Sequence, residues 1–105
     1  MERVFVMYKL KPGVSMSDYK KWSQKVDQKI TPSQPGVKSF KVFEIKGAEG
    51  GTPPYQIVED IEVGSWEAWQ KVLKGEGMKK VMSEWPNYGD ANSAVVVHGD
   101  QIKPN

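Results

Sequence analysis

The amino-terminal segment ERVFVMYKL, residues 2–10, predicts a β-strand with apolar side chains on both of its faces. One face holds Val4, Val6, Tyr8 and Leu10, and the other holds Phe5 and Met7. A strand with two apolar faces is typical of the centre of a sheet that is covered on both sides. The fold of this chain must therefore bury both faces of its first strand.

A helix is predicted after the Lys-Pro-Gly break at residues 11–13. Ser15 and Asp18 have the spacing of a capping box, in which side chains satisfy unpaired groups at the helix start. Apolar residues then recur at intervals of three and four, which predicts one buried stripe: Met16, Tyr19, Trp22, Val26 and Ile30. The prolines and glycine of TPSQPG, residues 31–36, end the helix.

The rest of the chain predicts two strands, a second helical region and a last strand. The strands cover residues 37–47 and 55–63, on either side of the loop AEGGTPP. Ser65 caps a helix that Gly75 and Gly77 interrupt and that resumes over residues 78–85. The segment SAVVVHG, residues 93–99, forms the last strand. The resulting order is βαββαβ, which predicts an α+β class fold, a ferredoxin-like sandwich, in a single domain over residues 1–105.

Both helices of such a sandwich lie on one face of the sheet. The opposite face still carries Phe5 and Met7 and needs a cover. A second copy of the chain is the simplest cover, so the sequence predicts a homodimer.

Composition narrows the classes of function. The 105 residues include no cysteine and one histidine, so neither a thiolate site nor a metal cluster is expected. The net charge is only +2 and no basic stripe is present, which argues against nucleic-acid binding. RNA-recognition modules share the βαββαβ order, but the strand YQIVEDIEV is acidic where theirs is basic and aromatic. No membrane span, signal peptide or cofactor-binding motif is found, so we expect a cytoplasmic protein without a cofactor.

Three residues are the candidates for catalysis. Tyr8 could donate a hydrogen bond to an oxyanion, and His98 could act as a general acid or base at a pocket mouth. Asp60 lies on the third strand between Glu59 and Glu62, and alternation places Glu59 with the isoleucines of that strand. A carboxylate on an apolar face is costly unless it is paired or functional, and burial raises its pKa.

Each candidate also has an ordinary structural interpretation. Tyr8 could be a strand tyrosine with a satisfied hydroxyl, and His98 could face solvent or bond to the backbone. The carboxylates could pair with Lys9 or Lys41 on neighbouring strands.

Three of the four tryptophans, Trp66, Trp69 and Trp85, fall within 20 residues. Their helical spacing is typical of core packing, but Tyr19 and Trp22 on the first helix face the same side of the sheet. So many aromatic side chains at one interface favour a cleft for a flat guest. We expect Trp69 to pack and Trp66 and Trp85 to border the cleft. The predicted ligand-binding set is Tyr19, Trp22, Gln56, Trp66 and Trp85.

Three stretches, YKLKPGVSMSDYKKW, PGVKSFKVFEIKG and YQIVEDIEVGSWEAW, resemble the RedY-like family. The resemblance covers nearly the whole chain and implies a dimeric α+β barrel. It further implies a role in prodigiosin or prodiginine-type pigment biosynthesis, with a planar pyrrolic intermediate of the bipyrrole branch in the cleft. A cofactor-free condensation or cyclisation is the activity expected. The alternative is a non-catalytic carrier of an unstable intermediate.

Overall fold

A computed structural model describes residues 1–105 and contains one four-stranded antiparallel sheet. Its strands are β1 (Glu2–Tyr8), β2 (Val37–Glu44), β3 (Ile57–Val63) and β4 (Val95–Asp100). The spatial order is β2-β3-β1-β4, so β1 lies inside the sheet and pairs with β3 and β4. This position confirms the prediction drawn from its two apolar faces.

The helical segments lie between these strands. The first region comprises α1 (Met16–Trp22), a π-helical segment (Ser23–Asp27) and α2 (Gln28–Ile30). The second comprises α3 (Trp66–Lys74), a 3₁₀ turn (Glu76–Met78) and α4 (Lys79–Glu84). Ser15 Oγ accepts a hydrogen bond from the Asp18 amide at 3.0 Å, and Ser65 Oγ accepts one from the Ala68 amide at 3.1 Å. The βαββαβ order, the ferredoxin-like class and both predicted caps are confirmed.

The strands are shorter than the sequence predicts. β1 ends at Tyr8, because residues 9–11 leave the sheet and bond to the segment that follows α4. The Lys11 amide donates to the Tyr88 carbonyl at 2.8 Å, and the Asp90 amide donates to the Lys9 carbonyl at 2.9 Å. These bonds fix the chain after α4 against the end of β1.

The predicted apolar stripe of the first helix packs against the core over its whole length, but polar residues join it beyond Trp22. A π-helical turn has hydrogen bonds between residues five apart, and here the Gln28 amide donates to the Ser23 carbonyl. The wider turn rotates the following residues, so Asp27 and Thr31 are buried while Val26 and Ile30 are only half-buried. A row of buried polar residues therefore lies beside the expected apolar one.

The hydrophobic core lies between the helices and one face of the sheet. Its fully buried apolar side chains include Val4, Tyr8, Tyr19, Ile57, Ile61 and Val63. The opposite sheet face is open in the single chain: Phe43 is 48% exposed and Val97 is 45% exposed. None of the helices has both the length and the apolar character needed to cross a membrane.

Gly89 permits a close contact that positions Trp85. A Cβ atom at residue 89 would overlap the Trp85 indole ring. We expect Gly89→Ala to displace this ring and to lower the free energy of unfolding by about 1–3 kcal/mol, as overpacking does. Urea denaturation and near-ultraviolet circular dichroism would measure the two effects.

Gly64→Ala is the matched control, because a Cβ at residue 64 meets no atom within 4 Å. Equal stabilities of the two variants would contradict the role assigned to Gly89.

Candidate functional site

A cavity of about 360 Å³ lies between the second helical region and the helix-covered face of the sheet. Its aromatic walls are the side chains of Trp66, Trp69 and Trp85, with Phe40 from β2. Its polar lining consists of Asp27, Thr31, Glu59 and Gln70. The volume and the apolar surface with few polar groups are typical of small-molecule sites.

Glu59 is the central polar group of this cavity. It projects from β3 to the helix-covered face because strand residues alternate, and it lies between Ile57 and Ile61. Its side chain is buried, and Oε2 accepts a hydrogen bond from the Tyr8 hydroxyl at 2.8 Å. The pKa of Glu59 is raised to about 8; burial is the largest cause, the nearby charge of Asp27 adds to the rise, and the bond from Tyr8 opposes it.

Tyr8 and Tyr19 form a buried hydrogen-bonded pair below Glu59. Their hydroxyl oxygens are 2.6 Å apart, and burial, followed by the charge of Glu59, raises the pKa of both phenols. Both therefore stay protonated at neutral pH. Because Tyr8 gives its single proton to Glu59, Tyr19 is the donor to Tyr8.

Asp27 is the second carboxyl group at the cavity. The π-helical segment turns it inward, and the Thr31 hydroxyl donates to Asp27 Oδ1 at 2.6 Å. Burial raises the pKa of Asp27 to about 6, and the bond from Thr31 opposes this rise. No group of three or more potential metal ligands comes together in the structure.

Two of the predicted binding residues, Trp66 and Trp85, line the cavity, and Trp69 lines it as well. The Trp85 ring meets the Tyr8 ring edge-on, with centroids 5.0 Å apart. The Trp66 ring stacks on His98 with centroids 4.0 Å apart and planes 9° apart. Trp69, which we expected only to pack, both packs in the core and forms part of the wall.

Tyr19, Trp22 and Gln56, the other predicted binding residues, do not line the cavity. Tyr19 lies behind Tyr8. Trp22 stacks on Tyr88 at 5.0 Å and donates from Nε1 to Glu84 Oε1 at 2.9 Å. Gln56 Oε1 accepts from the Leu10 amide at 2.8 Å, where the chain leaves β1. Trp22 and Gln56 have structural partners that direct their polar atoms away from the cavity.

Tyr8, Asp60 and His98 do not meet in one place. Tyr8 contacts the cavity through Glu59, whereas Asp60 projects to the opposite face of β3 and pairs with Arg3 at 3.0 Å. His98 lies on the outer side of Trp66, and its Nδ1 is 2.9 Å from Glu2 Oε2. This contact, and a bond from the Trp66 amide, lower the pKa of Glu2. His98 therefore packs against a wall residue of the cavity, and Asp60 lies outside the cavity.

The family model of the REDY-like protein HapK matches residues 2–102 of this sequence. The chain belongs to the HapK family. Among solved structures, HapK from Hahella chejuensis superposes with a TM-score of 0.80 at 19% identity, over 100% of this chain and 96% of that one. The family assignment confirms the RedY-like resemblance of the sequence.

Two more distant structures share the fold. The protein At3g17210 from Arabidopsis thaliana has a TM-score of 0.79 at 12% identity, with 100% of this chain and 99% of that one covered. A dimeric ferredoxin-like protein from Thermobifida fusca has a TM-score of 0.73 at 11% identity, with 95% and 90% covered. No curated protein sequence matches significantly. At these identities the likeness shows the fold alone.

Two cavity residues of this HapK family member were not selected by sequence reasoning. The sequence marks Glu59 as a costly carboxylate among isoleucines, whereas the catalytic candidate it offers is Asp60. Asp27 was outside every candidate set, since α-helical spacing pointed to Val26 and Ile30 as the inward residues. A signal is present in the polar series Ser23, Asp27 and Thr31, which recur at intervals of four and therefore share one helix face.

The raised pKa of Glu59 makes stability depend on pH. Its ordinary value of 4.5 rises to about 8 in the fold, so the folded chain holds this proton more tightly than the unfolded chain. The contribution of Glu59 to the free energy of unfolding should therefore be highest below about pH 4.5 and should decrease as the pH rises towards 8. We expect a slope on the order of 1 kcal/mol per pH unit, measured by urea denaturation.

In Glu59→Gln this slope should flatten above pH 6, because the contribution of Asp27 lies between its ordinary pKa of 3.8 and its folded value of about 6. The exposed Glu67→Gln is the matched control and should keep the full slope. An unchanged slope in Glu59→Gln would show that another group titrates.

Proposed function

We propose that this protein binds a planar, mostly apolar pyrrole-type intermediate of prodiginine-type pigment biosynthesis in the cavity beside Glu59. The observation that carries the proposal is the combination of three indole walls with a buried carboxyl pair in a space of about 360 Å³. Flat aromatic guests pack well against indole rings, and pyrrole N–H groups need acceptors in an apolar site. Membership of the HapK family supports the pathway, because RedY-like proteins are associated with prodiginines.

The proposed activity is a cofactor-free condensation or cyclisation in which Glu59 transfers the proton. Glu59 Oε2 accepts from Tyr8, so the proton of the neutral carboxyl group resides on Oε1. A pKa of about 8 allows Glu59 to give and take a proton near neutral pH. Tyr8 is then a positioning residue, because it acts on the guest through Glu59. Fixing the reactants between the indole walls adds an orientational contribution to the rate.

Replacing Glu59 by glutamine tests this proposal. The variant keeps the size of the side chain and removes its titration, so we expect pigment formation to fall by about 100-fold. The affinity for a bipyrrole, measured by the quenching of tryptophan fluorescence, should change by only a few fold. The test measures product profile in pigment-forming cells that carry the variant in place of the natural protein.

The matched control is Asp60→Asn, which changes the neighbouring carboxylate on the opposite sheet face. It should retain most of the flux. Full flux in Glu59→Gln with bipyrrole binding retained would favour a non-catalytic carrier, and absence of bipyrrole binding by the natural protein would refute the proposed ligand.

A homodimer is the second part of the proposal, because the sheet face opposite the helices needs a cover. The apolar side chains on this face are Phe5, Met7, Phe43, Val58, Val95 and Val97. Phe43 and Val97 are about half exposed in the single chain. Apolar faces of this kind are typical of interfaces between subunits. The dimeric ferredoxin-like protein from Thermobifida fusca supports this arrangement by its fold.

Val97→Glu tests the interface. Val97 is directly opposite Phe5 and is already 45% exposed, so the monomer should still fold. A charge on an apolar interface without a partner should weaken the dimer by at least tenfold in dissociation constant. Sedimentation equilibrium would measure the constant. Ile102→Glu, in the exposed tail, should leave it unchanged, and equal values for both variants would place the interface elsewhere.

A further inference from the structure

Each carboxyl group of the cavity uses one oxygen within the protein and leaves the other free. Glu59 Oε2 accepts from Tyr8, and Asp27 Oδ1 accepts from Thr31. No further hydrogen bond reaches Glu59 Oε1 or Asp27 Oδ2. No side-chain nitrogen or oxygen sealed from solvent lacks a partner, so these two oxygens are open to the cavity. The rest of each residue is buried, with Glu59 7% and Asp27 3% exposed.

The cavity contains no opposing positive charge. None of the residues that line it is a lysine, an arginine or a histidine. The charge that acts on Glu59 is that of Asp27, and the neighbouring phenols of Tyr8 and Tyr19 are neutral at pH 7. Burial raises the pKa of both carboxyl groups, and the smaller rise at Asp27 makes it the first of the two to lose its proton as pH rises.

A buried negative charge without a counter-charge favours one kind of guest. A carboxylate-bearing guest would be repelled, since no donor of positive charge is present to pair with it. A guest whose N–H group is protonated would donate to the free oxygen of Asp27 and neutralise the charge. The faces of the three indole rings also attract cations.

We propose that the cavity selects the protonated, cationic form of its nitrogen-heterocyclic guest, and that Asp27 is the residue that determines this selection. The proposal rests on the proposed function and specifies the charge state of the ligand class. Asp27 is able to do this because the π-helical turn directs it inward. The free oxygen of Glu59 supplies a second hydrogen-bonding position beside it.

A dipyrrin dye is a suitable probe, because it is flat, has the size of two pyrrole rings and changes its visible absorption when protonated. The full-length protein would be titrated with the dye across the pH range in which the free dye changes colour. We expect the bound dye to stay protonated at higher pH, with at least a tenfold preference for the cation over the neutral form. In Asp27→Asn the bound dye should lose its proton at about the same pH as the free dye.

The boron difluoride complex of the same dye is the matched ligand, because it is flat and neutral and cannot be protonated. Asp27→Asn should bind it as well as the natural protein does, which also shows that the variant is folded. Glu67→Gln, which removes an exposed carboxylate that does not line the cavity, should keep the preference for the cation. If both dyes bind and the colour change does not shift, the selection is refuted although the proposed binding function stands. If neither dye binds, the proposed function fails and this inference fails with it.

Discussion

The hydrogen bond from Tyr8 to Glu59 is the interaction on which the site depends. Glu59 occupies an inward position of a central strand, between two isoleucines, where an unpartnered carboxylate would be strongly unfavourable. Tyr8 supplies the donor from the adjacent strand β1, and Tyr19 in turn donates to Tyr8. The same two phenol rings also belong to the hydrophobic core. Polar chemistry and core packing are therefore achieved by the same side chains.

A local change of helix geometry completes this arrangement. α-Helical periodicity after Trp22 favours Val26 and Ile30 as inward residues, and both pack against the core. The π-helical segment additionally brings Asp27 to the cavity, where its charge raises the pKa of Glu59. π-helical turns are rare and are often found at functional sites. Here the turn explains how a helix with an apolar first half contributes a carboxyl group.

The fold could be predicted from the sequence more fully than the site. The two apolar faces of β1, the caps at Ser15 and Ser65 and the breaks at Gly75 and Gly77 are local signals, and each agrees with the structure. The site depends on long-range contacts. The partner of Asp60 is Arg3, and the hydrogen-bond acceptor of Tyr8 is Glu59; neither follows from alternation within one strand. The position of Asp27 depends on a helix irregularity that apolar spacing does not reveal.

The cavity divides its two tasks between separate parts of the chain. The indole walls come from α3 and from the turn that follows α4, whereas the carboxyl groups come from β3 and the π-helical segment. The wall segments are joined by the 3₁₀ turn Glu76–Met78 and by α4. Changes of wall residues can therefore alter the shape of the cavity while the buried carboxyl pair stays intact. Under the proposed function, such an arrangement lets the guest change over evolution while the two carboxyl groups are retained.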